Sequence, residues 1–132
     1  MQARSLSKLE GDRFCQAIIQ IDPTILFASV CTLSGKEIAS QKQPSANLYL
    51  GSNHTHSNSY TEFVSVVCEA FGGPESLFGE VDRIVGTFRN LRVMIIPNRR
   101  MEIAVMILML KEAEVKRMAF GIARIVEKFF AR

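Results

Sequence analysis

The sequence has no tryptophan, only two histidines and only three cysteines. The two histidines, His54 and His56, belong to one short segment, so no cysteine has a histidine beside it in the sequence. An odd number of cysteines without Cys-x-x-Cys spacing argues against both a disulfide framework and a zinc knuckle. We therefore expect Cys15, Cys31 and Cys68 to be small buried side chains of a protein in a reducing compartment.

Long apolar runs are also absent. The first eight residues contain no apolar segment of the signal-peptide type. The most apolar run, residues 101–110, includes Glu102 and reaches about half the length that a membrane helix needs. We expect a cytoplasmic protein that does not insert into a membrane.

What the sequence does contain fits one folded domain over residues 1–132. An apolar content of 48% is too high for a disordered chain. The formal net charge is only +3, but this value conceals a division of the chain. Residues 1–80 hold five basic and eight acidic residues, a net charge of −3, whereas residues 81–132 hold eleven basic and five acidic residues, a net charge of +6.

The basic side chains of the second part form a candidate docking surface for another protein. They lie at predicted strand turns and on the last predicted helix: Arg89, Arg92, Arg99, Arg100, Lys116, Arg117 and Arg124. A nucleic-acid surface would also need exposed aromatic side chains among the cations, and both tyrosines lie elsewhere in the chain. Weak nucleic-acid binding is therefore the third alternative, behind protein docking.

Hydrophobic spacing and turn residues predict an α+β fold. Helices are expected over residues 5–21, 59–71 and 112–131, and strands over residues 25–32, 36–43, 81–88, 91–97 and 101–110. Ser7 and Glu10 have capping-box spacing at the first helix. The order αββαβββα predicts a five-stranded antiparallel sheet with helices on its faces. The nearly continuous apolar strands at 25–32 and 101–110 should be covered on both faces.

Two predicted helices carry clear apolar stripes. In the middle helix the stripe predicted to face the core is Phe63, Val66, Val67, Ala70 and Phe71. In the last helix the predicted core face is Val115, Met118, Ala119, Ile122, Ile125, Val126 and Phe129. Phe120, Ala123 and Phe130 lie off that face, and they form either an interface or part of a wide buried face.

A family resemblance rests on residues 21–30 leading into Ser34-Gly35-Lys36, on residues 94–97 before the last strand, and on the final helix. With these features the chain resembles the Roadblock-type fold of the dynein light chains, a relative of profilin-like sandwiches, and it is similar to small archaeal proteins of that fold. The resemblance implies a homodimer or heterodimer that binds small GTPases or scaffolds larger complexes. It implies no catalytic residues and no cofactor.

The sharpest local motif is Asn53-His54-Thr55-His56, in which two imidazoles could reach one metal ion. No third or fourth ligand has suitable spacing, so a polar loop is favoured over a metal site. A second alternative is a PAS-like or profilin-like sensory module that binds a small ligand between the sheet and the loop at 44–58, which contains Tyr49. We do not expect an enzyme, because no base, nucleophile and orienting partner can be assembled from these residues.

Overall fold

The computed structural model describes residues 6–50, 57–71 and 79–130. Within these residues the elements follow in this order: α1 (Lys8–Ile19), β1 (Ile25–Thr32), β2 (Glu37–Lys42), α2 (Ala46–Leu50), α3 (Ser57–Phe71), β3 (Ile84–Thr87), β4 (Leu91–Asn98), β5 (Ile103–Leu110) and α4 (Val115–Phe130). The predicted order is confirmed, with one addition. The segment predicted to be a long polar loop contains the short helix α2.

The strands form a five-stranded antiparallel sheet, as predicted, and their order in it is β2-β1-β5-β4-β3. The apolar strands β5 and β1 occupy interior positions, and seven of the eight β5 residues are buried. Strand β3 lies at the edge and is shorter than predicted. It pairs only from Ile84, opposite Ile95, to Thr87, opposite Arg92, while Asp82 and Arg83 before it are exposed.

Helix α1 begins at the predicted capping box. The Ser7 hydroxyl accepts a hydrogen bond from the Glu10 amide at 3.1 Å, and the Ser7 amide donates to the Glu10 carboxylate at 3.4 Å. Gly11 allows α1 to lie close to β2, because a Cβ atom at this position would stand 2.8 Å from the Ala39 Cβ. The helix ends before Pro23, which keeps the preceding residue out of the helical region.

The sheet separates two apolar clusters. One lies between the sheet and the pair α1 and α4, and its largest fully buried side chains include Phe14, Ile18, Met94, Ile107, Ile122 and Phe130. The other lies between the sheet and α3, and it contains Leu26, Val64, Cys68, Ile95, Met106 and Leu108. Helices therefore pack on both faces of the sheet, with α1 and α4 on one face and α3 on the other.

Helix α4 packs with the predicted face, since Met118 and Ile122 are buried and the rest of the stripe packs against the same cluster. Of the two alternatives left open for Phe130, an interface and a wide buried face, the structure places it in the buried face. Its ring lies 4.6 Å from that of Phe14, measured between centroids, and is buried in the core. The helix presents a wide apolar face, because Phe129 also contacts Phe14 at 5.6 Å. Of the helices described here, none has both the length and the apolar character needed to cross a membrane.

Candidate protein interface

The stripe of α3 that the sequence predicts as core faces outward. Phe63, Val66 and Phe71 are 40%, 64% and 58% exposed. Ala70 is exposed as well, and only Val67 packs partly against the core. The prediction that this stripe faces the core is therefore wrong, and α3 turns its largest apolar side chains away from the sheet.

The sheet-facing side of α3 carries the small side chains Thr61, Val64, Ser65 and Cys68, and Tyr60 at the start of the helix packs against the same cluster with its ring centroid 5.4 Å from that of Phe27. The turn between β1 and β2 comes very close to this side. A Cβ atom at Gly35, whose φ is +96°, would stand 3.3 Å from the Thr61 carbonyl oxygen. The Ser65 hydroxyl donates to the Leu33 carbonyl of the same turn at 3.0 Å. The turn therefore lies directly against α3 at Thr61 and Ser65, where the helix carries small side chains.

An open cleft of about 520 Å³ lies between α3 and the strands β4 and β5. Its floor includes Val93, Met106 and Leu108, and Phe63 and Phe88 stand at its rim. The two rim rings meet edge to face, with their centroids 6.3 Å apart. Sequence patterns give no sign that Phe88, which is 51% exposed, belongs to this surface. We call Phe63, Val66, Ala70, Phe71 and Phe88 the α3 patch.

The edge strand β3 lies beside the cleft. It pairs with β4 on one side, and in the described part of the chain no strand pairs with its other side. An open strand edge offers a row of backbone donors and acceptors to another chain. Apolar surface and free backbone hydrogen-bonding groups therefore occur together at this border of the molecule.

The structure does not bring the predicted basic surface together. Arg92 donates to the Ala113 carbonyl at 2.8 Å, just before α4, and Arg100 donates to the Phe130 carbonyl at the end of α4. Arg99 donates at 3.4 Å to the Cys68 carbonyl of α3, on the other face of the sheet. Arg99 therefore lies on the other face from Arg92 and Arg100, so these three arginines do not belong to one surface, and a docking role for the other predicted cations stays a prediction.

A second open space, of about 610 Å³, lies between α4 and the outer strands on the opposite face of the sheet. We call it the α4 groove. Its apolar lining residues are Met94, Ile96, Ala119, Ile122, Ala123, Val126 and Phe130, and its polar ones are Asp82, Arg83, Asn98, Arg100 and Glu127. Phe120 does not line the groove, but it is 72% exposed on the outer side of α4. Lys116, Arg117 and Arg124 are exposed on the same helix.

The remaining candidates for chemistry fall into two groups. The histidines of the His-x-His motif, His54 and His56, lie outside the described residues. The three cysteines are free and buried, as predicted. Burial, with the nearby carboxylates as smaller causes, raises the pKa of Cys15 to about 12. Burial likewise raises the pKa of Cys31 to about 12, so these thiols are poor nucleophiles at neutral pH.

Comparison with solved structures identifies the architecture. A Roadblock/LC7 domain from Streptomyces avermitilis superposes with a TM-score of 0.70 at 12% identity, covering 95% of this chain and 94% of that one. MglB from Myxococcus xanthus superposes with a TM-score of 0.76 at 10% identity, covering 99% and 92%. The chain has the Roadblock/LC7 fold. No family model matches the sequence, and no curated protein matches it.

A third similar structure is the gliding protein MglB from Thermus thermophilus, with a TM-score of 0.65 at 11% identity and coverage of 97% and 98%. Another MglB structure is described as having a tetrameric arrangement. The Roadblock/LC7 similarity extends over nearly the whole chain. At 10–12% identity it establishes the fold.

Proposed function

We propose that this protein is a non-enzymatic regulator or scaffold that works as a homodimer and acts by binding other proteins. The observation that carries the proposal is the outward-facing α3 patch. A helix that packs its small side chains and exposes phenylalanine and valine leaves an apolar surface uncovered. Contiguous apolar surface of this kind marks interaction sites in soluble proteins.

A second copy of the chain is the occupant that fits the α3 patch best. In a two-fold dimer each subunit offers the same surface, so apolar side chains meet apolar side chains without further matching. The edges of two β3 strands can then pair antiparallel across the axis and satisfy each other's backbone groups. A standard interface buries about 800 Å² per partner. That is about a tenth of the 8357 Å² that the chain exposes.

The solved relatives support assembly, since one MglB structure is described as tetrameric. The Roadblock-type resemblance makes a small GTPase the first partner class to test. Such a partner is compatible with the α3 patch being used for self-association, because the other face of the sheet carries separate open surface at α4.

The dimer is tested by the molar mass of the full chain in solution, measured by light scattering after size exclusion over micromolar concentrations. We expect twice the mass of one chain. The variant Val66→Arg places a charge in the centre of the patch on a side chain that is 64% exposed, so folding should survive and the mass should fall to that of one chain. Gln16→Arg, an exposed position on α1, is the matched control and should remain dimeric.

Circular dichroism confirms that each variant is folded before its mass is interpreted. A monomeric mass of the unmodified chain at these concentrations contradicts the proposed homodimer. A dimeric Val66→Arg variant would instead place the interface elsewhere on the molecule. The regulatory part is tested separately, by nucleotide exchange and GTP hydrolysis of a purified small GTPase with and without the protein. Unchanged rates would leave only the scaffold role.

A further inference from the structure

We propose that the α4 groove, together with Phe120, is the docking site for an acidic amphipathic segment of a partner protein. The inference rests on the proposed function, because it names the chemistry of the partner that the regulator binds. The groove lies on the face of the sheet opposite the α3 patch. A dimer that uses the α3 patch would therefore leave the groove of each subunit accessible.

The shape of the groove suits a short helical segment. Its lining residues on α4 extend from Ala119 to Phe130. At 1.5 Å per residue this distance is about 16 Å, or about three turns of helix. The accessible floor is formed by Ile96 of β4 and by Ala119, Ala123 and Val126 of α4, and Met94 and Ile122 lie buried beneath it. A row of apolar side chains at i, i+3 or i+4 and i+7 would lie along such a floor, as in other helix-in-groove complexes.

Phe120 and Ala123 extend the apolar surface from the groove to the outside of α4. Residues three apart on a helix are neighbours on its surface, so the exposed Phe120 side chain lies beside Ala123, which lines the groove. An exposed aromatic side chain next to an apolar groove is typical of the anchoring side chains at the centre of protein interfaces. A bound segment would cover both features together.

The charges around the groove indicate which kind of segment would bind there. The charged residues that line the groove are Arg83, Arg100, Asp82 and Glu127. On the exposed side of α4 outside the groove the charged residues are all basic: Lys116, Arg117, Arg124 and Lys128. The two basic and two acidic residues that line the groove balance each other, so the net positive charge lies on the exposed side of α4, at Lys116, Arg117, Arg124 and Lys128. Complementary charge speeds association and disfavours partners of like charge. A segment with glutamate or aspartate flanking its apolar row is the matching occupant.

A protein segment is favoured over an anionic membrane because the site is concave. A flat bilayer surface could contact Phe120 and the cations of the outer side of α4, but it would leave the accessible floor at Ile96 and Val126 uncovered. A helical segment fills the groove and reaches Phe120 at the same time. The two occupants therefore differ in their response to a substitution that blocks the groove without altering charge.

The test uses a fluorescein-labelled 16-residue amphipathic peptide with leucines at helical spacing and glutamates elsewhere, and a counterpart with lysines in place of the glutamates. Fluorescence anisotropy with the full chain should show at least tenfold tighter binding of the acidic peptide, weakening as salt is raised. Ala123→Trp, which fills the groove, should weaken binding at least tenfold. The matched control Gln16→Trp on α1 should bind like the unmodified chain. Phe120→Ala should weaken binding severalfold.

Equal affinity for the two peptides, or full binding by Ala123→Trp, overturns the proposal. Flotation with vesicles of phosphatidylcholine, with and without phosphatidylserine, forms a separate arm. Vesicle binding that requires phosphatidylserine, together with no peptide binding, overturns the proposal in favour of a membrane surface. The monomeric Val66→Arg variant should bind the acidic peptide like the unmodified chain. Peptide binding by a chain that never dimerises would refute the homodimer alone, and a dimer that binds no peptide would refute the groove alone.

Discussion

Helices α3 and α4 lie on opposite faces of one sheet and turn opposite sides to it. In α4 the face with the strongest apolar periodicity packs against the sheet, and Met118 and Ile122 are buried. In α3 the regular stripe around Phe63 and Val66 faces outward, and the buried positions are the small residues Thr61, Val64 and Cys68. Periodicity finds an apolar face, but it does not say what covers that face.

The difference has a local cause at each helix. Beside α3 the turn at Gly35 lies so close that a Cβ atom there would stand 3.3 Å from the Thr61 carbonyl oxygen, and the helix carries small side chains at Thr61 and Ser65. Beside α4 the sheet and α1 leave space for large rings, and Phe14 fills it together with Phe129 and Phe130. A helix with two apolar sides places the side that its neighbours can accommodate against the core, and the other side becomes available for a partner.

The largest expected effect is a difference in thiol reactivity between buried cysteines, among them Cys68 on the inner side of α3, and a cysteine introduced on the outer side of α3. A raised pKa of about 12 in place of 9.0 lowers the thiolate fraction of Cys15 and Cys31 about a thousand-fold at pH 8. Burial also raises the pKa of Cys68, on the inner side of α3. All three should therefore react very slowly with Ellman's reagent in the folded chain, and at ordinary rates in guanidinium chloride.

The outer side of α3 supplies the matched control for this experiment. Ala70→Cys places a thiol two residues beyond Cys68, on the exposed side. In the monomeric Val66→Arg background it should add one fast-reacting thiol to three slow ones. A thiol at position 70 that reacts as slowly as the native three would show that the outer side of α3 is covered within a single chain.

A smaller effect is expected when the same truncation is made on each side of α3. Val64 is buried and Val66 is exposed, two residues apart on one helix. Val64→Ala should lower the free energy of unfolding by about 2 kcal/mol, because it removes buried methyl groups and leaves a cavity. Val66→Ala should change the unfolding of a single chain by less than about 0.5 kcal/mol, as at other exposed positions. Urea unfolding followed by circular dichroism measures both.

Protein concentration separates packing from assembly in these variants. The loss in Val64→Ala should be the same at low and high protein concentration, since it arises within one chain. If the proposed dimer forms, the loss in Val66→Ala should grow with concentration, because a weaker dimer stabilises the folded state less by mass action. Equal losses in the two variants at low concentration would show that the α3 patch belongs to the core.

Much of the fold could be predicted because its signals are local. The capping box at Ser7 and Glu10, the continuous apolar runs of β1 and β5, and the periodicity of α4 all depend on residues close together in the sequence. The sequence does not predict the short helix α2, because its five residues lie in a segment of turn-forming composition. The predicted third strand is too long, because Asp82 and Arg83 precede the paired residues of β3 without joining the sheet.

The candidate surfaces were harder to predict because they depend on contacts between distant residues. Arg92 and Arg100 resemble free surface cations in the sequence, but each donates to a backbone carbonyl at one end of α4. The helical periodicity places Phe130 off the predicted core face of α4. It is nevertheless buried, because α1 brings Phe14 against it. The small residues Thr61, Ser65 and Cys68, spaced four and then three apart, were the one local sign of the inner side of α3.

The smallest expected effect concerns the turn that joins α1 to β1 beside α4. The Asp22 carboxylate accepts hydrogen bonds from the Thr24 hydroxyl at 2.7 Å and the Thr24 amide at 2.9 Å. These bonds lower the pKa of Asp22, and the positive charge of Arg117 on α4 lowers it further. The Thr24 hydroxyl also contacts the Met118 sulfur at 3.6 Å, so the turn and the buried face of α4 are linked.

Because the pKa of Asp22 is lower in the folded chain than its ordinary value of 3.8, the carboxylate stabilises the fold above about pH 4. That stabilisation is lost as the pH falls through the lowered pKa. Asp22→Asn should therefore be less stable than the unmodified chain at pH 7 by less than about 1 kcal/mol, since the group is partly exposed. The difference in unfolding free energy should shrink toward pH 3. A difference that stays constant between pH 7 and pH 3 would show that the ionised carboxylate contributes nothing, and that the amide of the variant disturbs the packing of the turn against α4.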